Sequence, residues 1–458
     1  MNEIYDQLVS ITSVERVRTG ENISLDYTHD EALGRDPIFP DYVVFPISSS
    51  EVASIVNICK DKNIPITPRG SGSGMSGGAL PSPGGIVLAF DRMNSILEVD
   101  IDNHVAVVEP GVTLNQLETA LEPYSLFYPV RPGESSASLG GNVATNAGGM
   151  RAIRFGVTRH HVLGLETVLG TGEIINTGGK FVKSSSGYDL NQLLIGSEGT
   201  LGIVTKIFLK LQPKPISYGT VLAPFASLDE IASAVPKIIS SGLSPSVLEY
   251  LDFLAMASAT KNVGLDLAIP KDIQDQAMAY LVVVLENINQ SRVDEDIETL
   301  CELLGSYGAL DIYILPNSKA EALIDAREKA FWVAKASGAD DVIDAVLPRK
   351  EMPNYLSKVT QIAAESGSFI AGCGHVGDGN VHLSLFQKDK DVKHTTMMSI
   401  LKTAIDLGGA ISGEHGIGVE KLPYFLALED PIKIQLEKKI KELFDPSGIL
   451  NPGHVLGS

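Results

Sequence analysis

The chain has no apolar run approaching the roughly 20 residues that cross a bilayer as a helix, so no membrane span is expected. Its first ten residues, Met1-Asn-Glu-Ile-Tyr-Asp-Gln-Leu-Val-Ser10, lack the basic and apolar regions of a secretory signal, and the cytoplasm is the expected compartment. Cysteine is scarce. Cys59, Cys301 and Cys373 are scattered and odd in number, which argues against a disulfide framework and leaves no iron–sulfur or haem spacing. Basic residues are outnumbered, 36 against 56 acidic, and a net charge of −20 argues against nucleic acid or an anionic membrane as a partner. A small anionic substrate is still allowed, because a site needs only local positive charge.

With 44% apolar and 20% charged residues, the composition is that of a soluble globular protein. Its 458 residues exceed one hydrophobic core, so two or three domains are expected. The first half reads as alternating helices and strands. Ser50 is a candidate N-cap, followed at helical spacing by Val52, Ile55, Val56 and Cys59. Short strands are expected at 64–67 and 85–90, and Thr113 precedes a helix with Leu114, Leu117 and Leu121 on one face. Residues 203–211 alternate as a half-buried strand, and Gln212-Pro-Lys-Pro215 marks a domain boundary. Beyond it, amphipathic helices are expected over 228–240, 271–285, 294–304 and 319–337, with strand-like runs such as 280–285 between them. Neither tandem repeats nor low-complexity tracts occur.

Two glycine-rich segments stand out. Gly72-Ser-Gly-Met-Ser-Gly77 matches the dinucleotide fingerprint, but Pro81 and Pro83 follow at once and a strand begins near Gly85, leaving no room for the helix that a Rossmann site needs. A run of small residues still suits an anion cradle, since its backbone N–H groups can converge on phosphate oxygens. A second such run, Ser135-Ser-Ala-Ser-Leu-Gly-Gly-Asn-Val-Ala-Thr-Asn-Ala-Gly-Gly149, lies in the same half of the chain. Together the two suit a long, flat, doubly phosphorylated ligand such as FAD.

Of nine histidines, three fall in two glycine-rich motifs, Gly374-His-Val-Gly-Asp-Gly-Asn-Val-His382 and Ser412-Gly-Glu-His-Gly-Ile-Gly418. If 368–375 and 380–386 form a hairpin turning at 377–379, His375 and His382 face one another closely enough to chelate one ion. Asn380 shares the parity of His382 and points the same way. Glu414 and His415 are adjacent on an extended segment, so their side chains diverge, one able to reach a metal and the other a substrate. Two imidazoles and a carboxylate suit an open site for zinc, iron or manganese. A single histidine is usually a satisfied core residue, but here glycines surround every candidate and packing needs none of them. His29, His104, His160, His161, His394 and His454 are read as ordinary residues, and Cys373 as a small buried thiol.

Pro68-Arg-Gly-Ser-Gly-Ser-Gly74, Pro132-Gly133 with Gly140-Gly-Asn-Val-Ala-Thr-Asn-Ala-Gly-Gly149, Phe155-Gly-Val-Thr-Arg159 and Gly196-Ser-Glu-Gly-Thr-Leu-Gly-Ile-Val204 resemble the FAD-linked oxidases of the vanillyl-alcohol oxidase type. Within them the chain is most similar to the branch of D-lactate dehydrogenase, the glycolate oxidase large subunit and D-2-hydroxyglutarate dehydrogenase, over nearly its whole length. The resemblance implies an α+β fold: a two-subdomain FAD-binding domain over 1–215, a substrate (cap) domain on an antiparallel sheet over 216–410, and a C-terminal segment, 411–458, returning to the flavin site. It implies flavin contacts at Arg69, Gly70, Ser71, Gly72, Ser73, Gly74, Met75, Pro132, Gly133, Ser136, Ser138, Gly141, Asn142, Ala144, Thr145, Gly199, Ile203, Val204 and Asn451. The first loop has no His or Cys to tether the cofactor, so FAD is expected to be non-covalent.

The same resemblance makes His375, His382 and Glu414 metal ligands and His415 the catalytic base, with Asn380 beside them. It also aligns Arg327 with an arginine that binds the substrate carboxylate, against the alternative of a solvated helix face shared with Glu328 and Lys329. Relatives acting on dicarboxylates carry a further lysine where this chain has Val342, which favours a small monocarboxylate. The expected reaction is therefore oxidation of a D-2-hydroxy acid, D-lactate first, with electrons leaving to a separate acceptor such as an electron-transferring flavoprotein or an iron–sulfur subunit. Glycolate or D-2-hydroxyglutarate as substrate, an NADPH-dependent flavin reductase, and a non-catalytic flavoprotein subunit are the competing readings.

Overall fold

The computed structural model describes residues 3–457, and it is built around three main sheets. The first is four-stranded. Strands Tyr42–Val44, Ile86–Ala89 and Ile66–Arg69 run parallel, and Val17–Thr19 joins the edge antiparallel. Helix Ser49–Lys62 covers it with Val52, Ile55, Val56 and Cys59, and the N-cap is Ser48, not Ser50: its Oγ accepts from the Glu51 N–H at 3.3 Å. The second sheet is five-stranded and antiparallel, in the order Ile96–Asp100, Val105–Val108, Ile203–Lys210, Val162–Val168, Ile174–Asn176. Strand Ile203–Lys210 has the expected alternation, burying Ile203, Thr205, Ile207 and Leu209. Thr113 and Gln116 form a capping box at the start of helix Leu114–Leu121.

The third sheet is seven-stranded and antiparallel, in the order Tyr313–Leu315, Ser217–Phe225, Ala279–Asn287, Val247–Asp252, Phe369–His375, Asn380–Phe386, Asp341–Val346. Its strand Ala279–Asn287 contains the strand-like run expected at 280–285 and replaces the second half of the helix expected over 271–285; the helix stops at Gln276. Leu281, Val283 and Leu285 pack into one core with helix Gln290–Ser306, while Tyr280 and Val282 pack into another with Met256 and Leu323. A run apolar on both faces reads as helix or strand by composition, and only a sheet covered on both sides decides it. The helix expected over 319–337 is two, Asn317–Glu328 and Ala330–Ala336. The break falls where Glu328 turns to Arg131 (Nε–Oε1 3.2 Å) and its carbonyl meets Gly133.

The chain end closes the molecule. Leu450 pairs with Ile66, and the Asn451 amide donates to the carbonyls of Gly78 and Glu198 at 2.9 Å each. Among the described residues no helix is long and apolar enough to cross a membrane.

Candidate active site

One cavity of about 730 Å3 runs between the glycine-rich segments and the third sheet. Its walls include Arg69 to Met75, Pro132, Gly133, Ser138, Gly141, Asn142, Ala144, Thr145, Gly199, Ile203 and Val204 on one side, and Arg327, His375, His382, Glu414 and His415 on the other. Three of the expected site residues stand back from it. Ser136 offers its carbonyl to Ser71 Oγ at 2.6 Å, Asn451 ties the chain end as described, and the Asn380 amide donates to Asp344 Oδ1 and the Ala345 carbonyl at 3.0 Å each. Asn380 therefore supports the site rather than bordering the cavity.

The two glycine-rich segments meet directly, the Ser71 N–H donating to Ser138 Oγ at 3.2 Å. No helix follows the first, so the Rossmann alternative fails as expected. Gly72 has φ +70°, and a Cβ there would lie 2.0 Å from the Arg69 guanidinium, so only glycine lets the loop fold over that side chain. Gly148 comes close to the other wall: a Cβ would fall 2.4 Å from Glu414 Oε2.

The hairpin carries the histidines, with one difference from expectation. Residues 376–379 set a register in which Cys373 pairs with His382 and His375 with Asn380. The two histidines are thus diagonal neighbours, with ring centroids 4.8 Å apart. Both Nε2 atoms converge on Glu414 Oε1, at 3.3 Å from His375 and 3.1 Å from His382. Three ligands held about 2.1 Å from one ion in tetrahedral geometry stand about 3.4 Å apart, so this spacing fits the donor set to a divalent metal. His382 Nδ1 is buried without a hydrogen bond, and His375 Nδ1 donates to Glu249 Oε1 at 2.5 Å, which fixes that ring's tautomer as a metal ligand requires. Burial opposes a charge on His375, but Glu249 and Glu414 outweigh it and raise its pKa to about 10; these carboxylates want positive charge at this point. Asp344, His382 and His415 also lie close enough to hold an ion. Asp344 is a poor ligand, however, because both its oxygens are already engaged.

Asp344 and Glu249 are the residues that sequence reasoning missed. The fully buried Asp344 accepts, on Oδ2, the backbone N–H groups of Gly413 (3.0 Å), Glu414 (3.0 Å) and His415 (2.8 Å) and the Ser412 hydroxyl (2.8 Å). Burial pushes its pKa up, yet His415, Lys421 and His382 hold it below the usual carboxylate range. Glu249 Oε2 lies 2.8 Å from Arg327 Nη2 while Oε1 holds His375, so one carboxylate orients both. Arg327 is buried with Nε unpartnered and borders the cavity beside Cys373. A charge flanked by apolar neighbours within a strand was the available signal for both: Glu249 between Leu248 and Tyr250 in Val247–Asp252, Asp344 between Ile343 and Ala345 in Asp341–Val346.

His415 stacks on His382 at 5.0 Å. Burial lowers its pKa, Asp344 raises it, and the balance is about 4, leaving a neutral imidazole able to accept a proton. The loop bearing it is clamped from the first half of the chain. Ser76 Oγ donates to the carbonyls of His415 and Gly416 at 3.0 Å each, and Glu198 accepts the N–H groups of Ile417 (2.7 Å) and Gly418 (2.8 Å).

Comparison with known proteins gives the family. Residues 40–178 match the FAD binding domain, and residues 214–455 match the C-terminal domain of the FAD linked oxidases. The chain is 52% identical over its whole length to an uncharacterized FAD-linked oxidoreductase of Mycobacterium tuberculosis that it also covers fully. It is 36% identical to a D-lactate dehydrogenase of Anaerostipes hadrus, over 96% of this chain and 94% of that one. Identity is 37% to the glycolate oxidase subunit GlcD of Bacillus subtilis, over 99% and 96%. The fold is that of 4-ethylphenol oxidase from Gulosibacter chungangensis, with a TM-score of 0.80, 19% identity and coverage of 98% and 96%. The fold is thus the vanillyl-alcohol oxidase type, and the chain belongs to the FAD-linked oxidases, as an oxidoreductase of the D-lactate dehydrogenase and glycolate oxidase family.

Proposed function

We propose that the chain is a dehydrogenase that oxidises a D-2-hydroxy acid of the D-lactate type to its 2-oxo acid, using non-covalent FAD and a divalent metal. The observation that carries this reading is the convergence of His375, His382 and Glu414 at 3.1–3.3 Å, beside His415 and Arg327, on one wall of a cavity whose other wall is the glycine-rich cradle. In this reading residues 1–215 hold FAD, 216–410 hold the substrate, and 411–458 return Glu414 and His415 to the flavin.

His375, His382 and Glu414 would hold zinc, iron or manganese, and the segments at 69–75, 132–145 and 199–204 would hold FAD. When bound, FAD would supply a hydride acceptor for substrate C2, and the ion would supply a Lewis acid for the 2-hydroxyl. Arg327, held by Glu249, orients the carboxylate. Neutral His415 takes the hydroxyl proton as the C2–O bond becomes a carbonyl. Asp344 and Asn380 keep the 412–415 segment in place so that Glu414 and His415 point to their separate tasks. The histidines and the cysteine on the cavity wall are His375, His382, His415 and Cys373, all at the metal end, which supports a dissociable flavin. A separate acceptor, an electron-transferring flavoprotein or an iron–sulfur subunit, would take the electrons.

Replacing His415 tests the assignment. His415→Ala is expected to slow stopped-flow flavin reduction by about 10²–10⁴-fold, the usual range for loss of a general base, while flavin and metal content stay unchanged. Near-normal reduction in that variant would remove His415 from the role.

A further inference from the structure

The face of the third sheet that carries the metal group continues well past it. Register places Asp344, His382 and Cys373 side by side, then Val342, Ser384 and Ala371, then Phe386 opposite Phe369. Successive rows on one face are about 7 Å apart, two residues at 3.4 Å each. The other face of these strands, with Ile343, Leu383 and Leu385, is buried in the core, whereas Val342, Ala371, Ser384, Phe369 and Phe386 all border the cavity. The second row is short and uncharged. The third is a pair of aromatic rings 5.5 Å apart, with Phe369 52% exposed. Leu254 and Trp332, 45% and 37% exposed, border the same cavity.

We propose that the substrate is a 2-hydroxy acid with a long aliphatic or aromatic side chain, which lies over Val342, Ala371 and Ser384 and ends at Phe369 and Phe386. This rests on the reading of the metal-dependent 2-hydroxy-acid site above. With its hydroxyl at the ion, lactate puts its methyl carbon only about 4 Å from the metal and covers neither row. Contact with both rows takes about four to six further carbons, each adding about 1.3 Å of reach from a 1.5 Å bond. Neither row itself offers a cation to a second carboxylate on the side chain. The same rows would bury apolar carbon, and each methylene moved from water to such a surface strengthens binding by about 3–4-fold.

The test is anaerobic stopped-flow reduction of the flavin in the metal-loaded holoenzyme by D-lactate, D-2-hydroxybutyrate, D-2-hydroxyoctanoate, D-phenyllactate and D-2-hydroxyglutarate. The efficiency of reduction, kcat/KM, is expected to climb along the apolar series, reaching about 10²–10³-fold above D-lactate for 2-hydroxyoctanoate and on the order of 10²-fold for phenyllactate. In Ala371→Leu, which fills the second row, the ratio of 2-hydroxyoctanoate to lactate should fall at least about tenfold. If that variant does not fold, the series on the unaltered protein decides alone. D-lactate equal to or better than the long substrates, or 2-hydroxyglutarate best of all, overturns the side-chain assignment and leaves the site reading intact. Failure of every 2-hydroxy acid to reduce the flavin overturns both.

Discussion

Asp344→Asn changes one buried oxygen to nitrogen and should disable the site without touching a proposed metal ligand. Oδ2 of Asp344 receives three consecutive backbone N–H groups and a hydroxyl, from Ser412 to His415, and Oδ1 receives the Asn380 amide. An asparagine removes the charge and one accepting atom, so whichever way the amide turns, one set of donors is left facing an NH2 group. Hydrogen bonds to a charged group contribute about 1.5–3 kcal/mol each, and breaking a buried charged network by removing one partner costs about 3–5 kcal/mol. Bonds sharing one oxygen are not additive, so about 3 kcal/mol is a reasonable loss in the hold on the 412–415 segment. Taken wholly at that segment, it corresponds to roughly 10²-fold in the rate of flavin reduction. The variant should be assayed by stopped-flow absorbance, with bound metal by plasma mass spectrometry and flavin content by absorbance. The expected outcome is a full complement of FAD, depleted metal and reduction slowed about 10²-fold. Stoichiometric metal together with reduction within about threefold of the unaltered protein would refute the positioning role.

Two further outcomes follow from the same geometry. Arg327→Lys keeps the charge but loses the fork that spans Glu249 and the cavity, so KM for the hydroxy acid should rise about tenfold or more; a KM within about twofold would remove Arg327 from carboxylate binding. Burial raises the pKa of Glu198 to about 7 against the ordinary 4.5, and the N–H groups of Ile417 and Gly418 only partly offset it. The folded state thus holds the proton more tightly than the unfolded one. Its stabilising effect is full below pH 4.5 and is lost as pH rises to about 7, a change of about 3 kcal/mol at ~1.4 kcal/mol per pH unit. Glu198→Gln should lack that loss, so denaturation of the two proteins at pH 5 and pH 8 should diverge; parallel curves would contradict the account.

Much of the site was legible in the sequence because its chemistry is concentrated in short motifs. His375, His382, Glu414 and His415 sit in two short glycine-rich motifs, and the two small-residue runs meet each other and border one cavity. The capping box at Thr113 and the alternation over strand Ile203–Lys210 were equally local and equally readable. What escaped was information held between distant residues. The pairing of Cys373 with His382 follows from the turn register, not from parity alone. Glu249 meets His375 across 126 positions, and Asp344 meets His415 across 71; neither contact has any trace in local spacing. The strand Ala279–Asn287 reads both as helix and as strand in the sequence because a run apolar on both faces carries no period. The break after Glu328 depends on Arg131 and Gly133, nearly two hundred residues earlier in the chain.

The central claim is that an ion bound by His375, His382 and Glu414 is needed for the chemistry beside the flavin. Anaerobic titration of the purified protein with D-lactate, L-lactate, glycolate and a longer D-2-hydroxy acid, with and without chelator, tests it directly through the flavin absorbance. Bleaching by a D-2-hydroxy acid that disappears with chelator, returns when a divalent metal is restored and is absent in His382→Ala is the predicted result. Equal bleaching in all of these conditions, or none with any 2-hydroxy acid, would contradict it.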